Sequence, residues 1–406
     1  MHNVEKISED IFWVGVNDRK TQRFENYLPL DKGVSYNSYL ILDEKVALID
    51  TVEIGTSENF LEKIEGVLQG RKIDYLIINH MEPDHAGAIK DVIRLYPDVI
   101  LVGNVKTFPM LDAFYDCLKE RCENNRFVVK EGDTLDLGKH SLTFAMIPMV
   151  HWPESMVSFE STTGTLFSND AFGSFGSLDG GIFDDQLNLS FYEDEMRRYY
   201  SNIVGKYGAP TQAAIKKLGG LDIKCIAPCH GPVWRTEITR VLGHYDAWSK
   251  MEPEAEGVVI VYGSMYGNTE KMANAIARQL SKEGIIDIKM YDASKTDHSY
   301  IISDIWKYQG LMIGSCSHNN AVYPKVQPIL SKLQNYGLKN RYLGIFGNMM
   351  WSGGGVKGIQ AFADSLRGVE VIGESVEVKG TPRSEDYTKL EAIATAMADK
   401  LKEVRK

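Results

Sequence analysis

Four potential metal ligands fall within six residues, His80-Met81-Glu82-Pro83-Asp84-His85, and this run constrains the fold more than any other stretch of the chain. It follows Tyr75-Leu76-Ile77-Ile78, an apolar run that reads as a buried strand. Imidazoles and carboxylates crowded at one strand end carry a heavy electrostatic penalty unless a cation lies among them. Alternate residues leaving a strand point to the same side, so His80, Glu82 and Asp84 are expected to converge.

Three later residues complete a constellation. His151 follows the apolar run 142–147 in the turn Met149-Val150-His151-Trp152-Pro153, Asp170 follows Thr165-Leu166-Phe167-Ser168-Asn169, and His230 follows a run ending in Pro228-Cys229. Each stands in a loop leaving a buried strand, where functional residues collect. Four imidazoles and three carboxylates suffice for two metals with one carboxylate as bridge. Zinc hydrolases of the metallo-β-lactamase fold generally carry a second His where this chain has Glu82, and the carboxylate favours a harder, redox-capable ion such as iron. His140, His244, His298 and His318 read as ordinary surface or core histidines, and Cys229 as a small packed neighbour of His230.

A chain of 406 residues is expected to form two or three domains. Its formal charge, 45 − 55 = −10, argues against a nucleic-acid or anionic-membrane surface. Glu5, Glu9 and Asp10 interrupt the apolar core a signal peptide would need, and no apolar run approaches the roughly 20 residues of a membrane span. Cys117, Cys122, Cys225, Cys229 and Cys316 include no C-x-x-C pair, which fits a reduced, cytoplasmic setting. The chain has no four-cysteine iron site or ferredoxin motif, so electrons must enter from another molecule.

Short strands are expected over 11–14, 35–42 and 46–50, then helices over 56–68 and 86–95 around the strand that leads to His80. One helix is expected over 193–207 and a second over 211–218. The acidic, Pro-containing segment 251–256 reads as the linker between residues 1–250 and 257–406. Beyond it, strands near 257–262, 286–290, 310–313, 342–346 and 369–371 alternate with helices, the pattern of a doubly wound parallel sheet.

Ser264-Met265-Tyr266-Gly267-Asn268-Thr269 lies between the first strand and first helix of this second domain. Hydroxyls, a glycine and a helix N-terminus make an anion site, and without a lysine it suits a flavin monophosphate rather than a nucleoside triphosphate. Gly314-Ser315-Cys316-Ser317-His318-Asn319-Asn320 and Gly347-Asn348-Met349-Met350-Trp351-Ser352-Gly353 leave the third and fourth strands at the edge where ligands bind. Both are suited to flanking a flavin ring. Gly353-x-Gly355-x-x-Gly358 matches the dinucleotide fingerprint but occupies the fourth βα turn, so it is read as a decoy.

H-x-E-x-D-H at residues 80–85, then His151, Asp170, His230 and the flavin-type loops together resemble the flavodiiron proteins, over essentially the whole chain. The resemblance implies an α/β chain with a metallo-β-lactamase-like αββα sandwich followed by a flavodoxin-like doubly wound sheet. It implies His80, Glu82 and His151 on one iron, Asp84, His85 and His230 on the other, and Asp170 bridging. It further implies flavin mononucleotide (FMN), reduction of dioxygen to water or of nitric oxide to nitrous oxide, and rubredoxin or a reduced deazaflavin as electron donor. A head-to-tail homodimer or dimer of dimers is implied too. Two positions depart from the usual pattern: Cys316 stands where Pro is often found, and Asn348-Met349-Met350 replaces a Ser/Tyr-containing run. A metal-dependent hydrolase with an appended flavodoxin, and a pure electron carrier, are the competing expectations.

Overall fold

The computed structural model describes residues 3–118 and 123–404; Cys122 lies outside them. The chain divides into two compact units, residues 1–246 and 247–406.

In the first unit two sheets share a core. Glu5–Lys6, Ile11–Trp13, Tyr39–Leu42, Val46–Ile49, Tyr75–Ile77, Ile100–Gly103 and Arg126–Val128 are successive neighbours in the larger sheet. Thr134–Asp136, Ser141–Met146, Met156–Glu160, Thr165–Asn169 and Cys225–Pro228 form the smaller one. Strand alternation decides which residues fill the space between them. Tyr39, Ile41, Ile49, Ile77 and Val102 pack in one core cluster with Leu142, Phe144, Met156, Phe167 and Ala227. The intervening Leu40, Leu48, Leu76 and Leu101 are fully buried as well, as are Phe60 and Ile64 of the helix Ser57–Leu68 and Val92 of Ile89–Leu95. This is the αββα sandwich.

Parallel pairing positions the site. Val46–Ile49, Tyr75–Ile77 and Ile100–Gly103 run parallel in one sheet, and Thr165–Asn169 runs parallel to Cys225–Pro228 in the other. Their carboxyl ends, and the loops that follow, therefore share an edge.

The second unit is a parallel sheet in the order Ile288–Asp292, Ala255–Gly263, Tyr308–His318, Arg341–Met349, Val369–Val371, the flavodoxin-like order. Val258, Ile260 and Met312 form a core with Met272, Ile276 and Leu280 of the helix Asn268–Lys282 and Leu390, Ile393 and Met397 of Ser384–Val404. Val259, Val261, Leu311 and Ile313 are buried on the opposite face.

Several elements differ from the sequence expectation. The helix expected over 193–207 is an α-helix, Leu189–Tyr199, running into a π-helical turn, Tyr200–Val204. The strand expected at 286–290 is Ile288–Asp292, because Ile286 is 92% exposed and packs nowhere. The helix between the second and third strands of this unit, given no bounds from sequence, is His298–Lys307, which Asp297 caps by accepting from Ser299 N. Residues 251–256 pack into the second unit. The buried Arg341 donates to Met251 O, Glu254 N donates to Lys307 O, and Ala255 pairs with Tyr308. Among the described residues no helix is long and apolar enough to cross a membrane.

Candidate functional site

All seven candidate ligands reach one pocket. His80, Glu82, His85 and Asp170 offer ligand atoms within 4.8 Å of one another, and so do Asp84, His85 and His230. His151 Nε2 lies 3.0 Å from Glu82 Oε2 and 3.3 Å from Asp170 Oδ2. The expected alternation of His80, Glu82 and Asp84 ends at Pro83, which opens the helical turn Pro83–Ala86. Asp84 swings with that turn towards His230, its Oδ2 3.1 Å from His230 Nε2, instead of joining His80 and Glu82. Asp170 stands between the two groups. Its Oδ2 is 3.2 Å from His80 Nε2, while its Oδ1 is 2.8 Å from His85 Nε2 and 3.5 Å from His230 Nε2.

The pocket fits divalent ions. His80 Nε2, His85 Nε2, His230 Nε2, both Asp84 oxygens and Asp170 Oδ2 are buried without a hydrogen bond, close together but aimed into the space between them. Buried polar atoms are normally paired, and this many orphans at one point are explained by cations between them. Charge says the same. Burial disfavours charged His151, yet the nearby Asp170 carboxylate and the hydrogen bond to Glu82 carry its pKa up to about 9. His230 is carried up to about 10 against burial by Asp170 and Asp84. The carboxylates thus draw positive charge to this pocket, which metal ions would supply. Cys229 is no competitor as ligand: burial holds its thiol well above the usual range, and its Sγ lies 3.7 Å from Asp50 Oδ2.

The three flavin loops of the second unit leave adjacent strands in register, Gly263 beside Ser315 and Ser315 beside Gly347. Gly267 has φ +87°, and Ser264 Oγ accepts from Gly267 N at 3.0 Å, closing the turn before the helix. Thr269 Oγ1 is buried with no partner, an orphan suited to a phosphate oxygen. Ser315 Oγ accepts from Tyr323 N and Ser317 Oγ from Gly355 N, so both hydroxyls brace the loop. Asn319 and Asn320 take left-handed conformations, at φ +48° and +60°. Asn348 turns inward, its Nδ2 donating to Val378 O and Gly380 O at 3.0 and 2.6 Å. Trp351 is 88% exposed and Tyr266 90%, so neither is a core residue. The decoy fingerprint has a packing cause: a Cβ on Gly355 would sit 2.8 Å from Ser315 O, and one on Gly358 2.4 Å from Val322 Cγ2.

Residues 34–231 match the ODP family beta lactamase model and residues 260–403 the flavodoxin model. The nitric oxide reductase of Moorella thermoacetica is 34% identical over 97% of this chain and 98% of its own length. An anaerobic nitric oxide reductase flavorubredoxin of Vibrio vulnificus is 33% identical over 87% of this chain and 72% of its own. Among solved structures, rubredoxin oxygen:oxidoreductase from Desulfovibrio gigas superposes with a TM-score of 0.92 at 33% identity, over 98% of this chain and 99% of that one. The flavodiiron protein of Giardia intestinalis gives 0.91 at 26% identity, over 99% and 98%.

This chain belongs to the flavodiiron proteins.

As a flavodiiron protein it is an oxidoreductase, and its pocket contains groups that sequence reading missed. Glu154 Oε1 lies 2.7 Å from His80 Nδ1 and fixes that ring so that Nε2 faces the pocket. Its signal was present, three residues after His151 in the same turn. Tyr199 OH donates to Asp170 Oδ1 at 2.9 Å. Nothing in the sequence separated Tyr199 from the aromatic residues around it, because the π-helical turn that follows it is a tertiary feature. Glu25 sits at the exposed tip of the hairpin Arg23–Phe24/Leu28–Pro29, near enough to Glu82 for the two carboxyls to feel each other. Enclosure first, and the Glu82 charge second, push Glu25 up to about 7.

Proposed function

We propose that this flavodiiron protein reduces dioxygen to water, nitric oxide to nitrous oxide, or both, drawing electrons from an external carrier. The observation that carries this reading is Asp170, whose Oδ2 faces His80 and His151 while its Oδ1 faces His85 and His230. His80, Glu82 and His151 would hold one iron, Asp84, His85 and His230 the other, with Asp170 between them. Ser264–Thr269 would hold the FMN phosphate, and the loops 314–320 and 347–353 would flank its ring. Held there, two ferrous ions and one reduced FMN would supply together the four electrons that dioxygen requires, and the metals would add Lewis acidity.

The protein's own contribution is positional and electrostatic. Glu154 keeps a proton on His80 Nδ1, and the carbonyl of Ser35, 2.8 Å from His230 Nδ1, keeps one there. Both Nε2 atoms therefore stay free for metal. Tyr199 holds a hydroxyl proton against Asp170 Oδ1, within a site that is otherwise short of donors. The rings of Trp152 and Phe24, 5.2 Å from His80 and 5.4 Å from His230, line the site with apolar surface. We place the protein in the cytoplasm as a head-to-tail homodimer or dimer of dimers, fed by a rubredoxin or a reduced deazaflavin.

Anaerobic stopped-flow mixing of the fully reduced protein, separately with dioxygen and with nitric oxide, tests the proposal. Fast flavin and iron oxidation by one gas or both is expected, and the faster gas defines selectivity. No oxidation by either, from protein shown to hold iron and flavin, would overturn it.

A further inference from the structure

Apart from the Ser35 carbonyl on His230, the polar segment Ser35-Tyr36-Asn37-Ser38-Tyr39 has no part in the reaction as described, yet it is thoroughly buried. Ser35, Asn37 and Tyr39 are exposed by no more than 2%. Buried polar side chains destabilise a core unless their hydrogen bonds are met, so their partners are informative. They span the break between the strands Val34–Tyr36 and Tyr39–Leu42, and there they meet the loop that carries His230.

The contacts cover four successive residues. Tyr39 OH donates to Pro228 O at 2.7 Å, and Asn37 N donates to Cys229 O at 2.7 Å. His230 Nδ1 donates to Ser35 O at 2.8 Å, and Gly231 N donates to Ser35 Oγ at 2.7 Å. Asn37 Nδ2 spans the loop, donating to Pro228 O and Gly231 O at 2.9 Å each.

Asn37 is oriented from behind. Trp13 Nε1 lies 2.9 Å from Asn37 Oδ1. An indole N–H only donates, so its partner must be the amide oxygen, and both amide hydrogens are left for the two carbonyls. Trp13 is itself held by Lys63, whose Nζ stands 4.3 Å over the ring. Gly15 permits this approach: a Cβ there would lie 2.7 Å from Asn37 Cα and 2.8 Å from Trp13 Nε1.

We infer that Asn37 is a positioning residue for His230: it clamps the carbonyls on either side of the ligand, with Trp13 setting the direction of the clamp. The inference rests on the diiron reading, and the experiment separates the two. Asn37→Asp keeps the size and the Trp13 bond, but removes both amide donors and turns a carboxylate towards two carbonyl oxygens. The readouts are iron counted per FMN, the Mössbauer spectrum and thermal unfolding. The variant is expected to lose iron from the His230 side, from two towards one per FMN. Affinity for that ion should fall about 10- to 100-fold, the usual scale for a partner behind a metal ligand. Tyr39→Phe, which leaves His230 and Gly231 tied, should keep both irons. Trp13→Phe should weaken the same iron by a smaller factor.

An Asn37→Asp protein that melts earlier but keeps two irons and the parent spectrum would overturn the inference, since a merely structural role predicts that result. If Asn37→Asp does not fold, Trp13→Phe decides, and unchanged iron affinity and spectrum there would overturn it. A parent protein with FMN and no iron would sink the diiron reading itself.

Discussion

Seven side chains from four loops converge on the metal pocket, whereas the flavin edge consists of three loops leaving adjacent parallel strands in register. In the first region six ligand atoms lie buried without a hydrogen bond; in the second, most side chains brace the loop or face solvent. A cation is bound by lone pairs, which only specific side chains supply, so the metal site is intolerant of substitution. A phosphate and a flat ring can be held by backbone amides and surface, so the flavin site is set by loop geometry. The departures Cys316 and Asn348 illustrate this. Cys316 is a buried residue of the loop wall, and Asn348 ties its loop to Val378 and Gly380.

The largest effect is expected at the residue both metal groups share. Asp170→Ala should lose both irons and nearly all gas reductase activity while keeping FMN, read as iron per flavin and as flavin oxidation after mixing. Retention of one tight iron would show that the two groups are less dependent on each other than the geometry implies. Next comes Tyr199→Phe, which removes a proton donor and leaves the ligands. Iron content should hold, and turnover should fall about 100-fold, the low end of the range for a positioned proton donor.

On the flavin side the effects should be smaller. Thr269→Val removes the orphaned hydroxyl without changing shape, and should weaken FMN binding by about tenfold, or about 1.4 kcal/mol. Fluorescence titration of the apoflavoprotein measures this, with iron content unchanged. Asn348→Ala is the mildest: it should lower stability by about 1–2 kcal/mol through two lost loop hydrogen bonds, and leave FMN affinity nearly unaltered. A large loss of FMN affinity would break the comparison, because it would make the flavin site as dependent on side chains as the metal site.

The chain's own order of residues determined the element types around both sites. Apolar runs of strand length ending in His, Asp or Gly place the candidate ligands at strand ends, and β-branched strands alternating with helices specify the parallel sheet. These are local signals, carried by period and composition. What tertiary structure alone decided lies between segments far apart in sequence. Asp84 parts from His80 and Glu82 because Pro83 starts a helical turn. Tyr199 reaches Asp170 across 29 residues, and Asn37 reaches Gly231 across 194. No periodicity encodes such pairs: a hydrogen bond over that separation exists only once two sheets have packed and their loops share one edge.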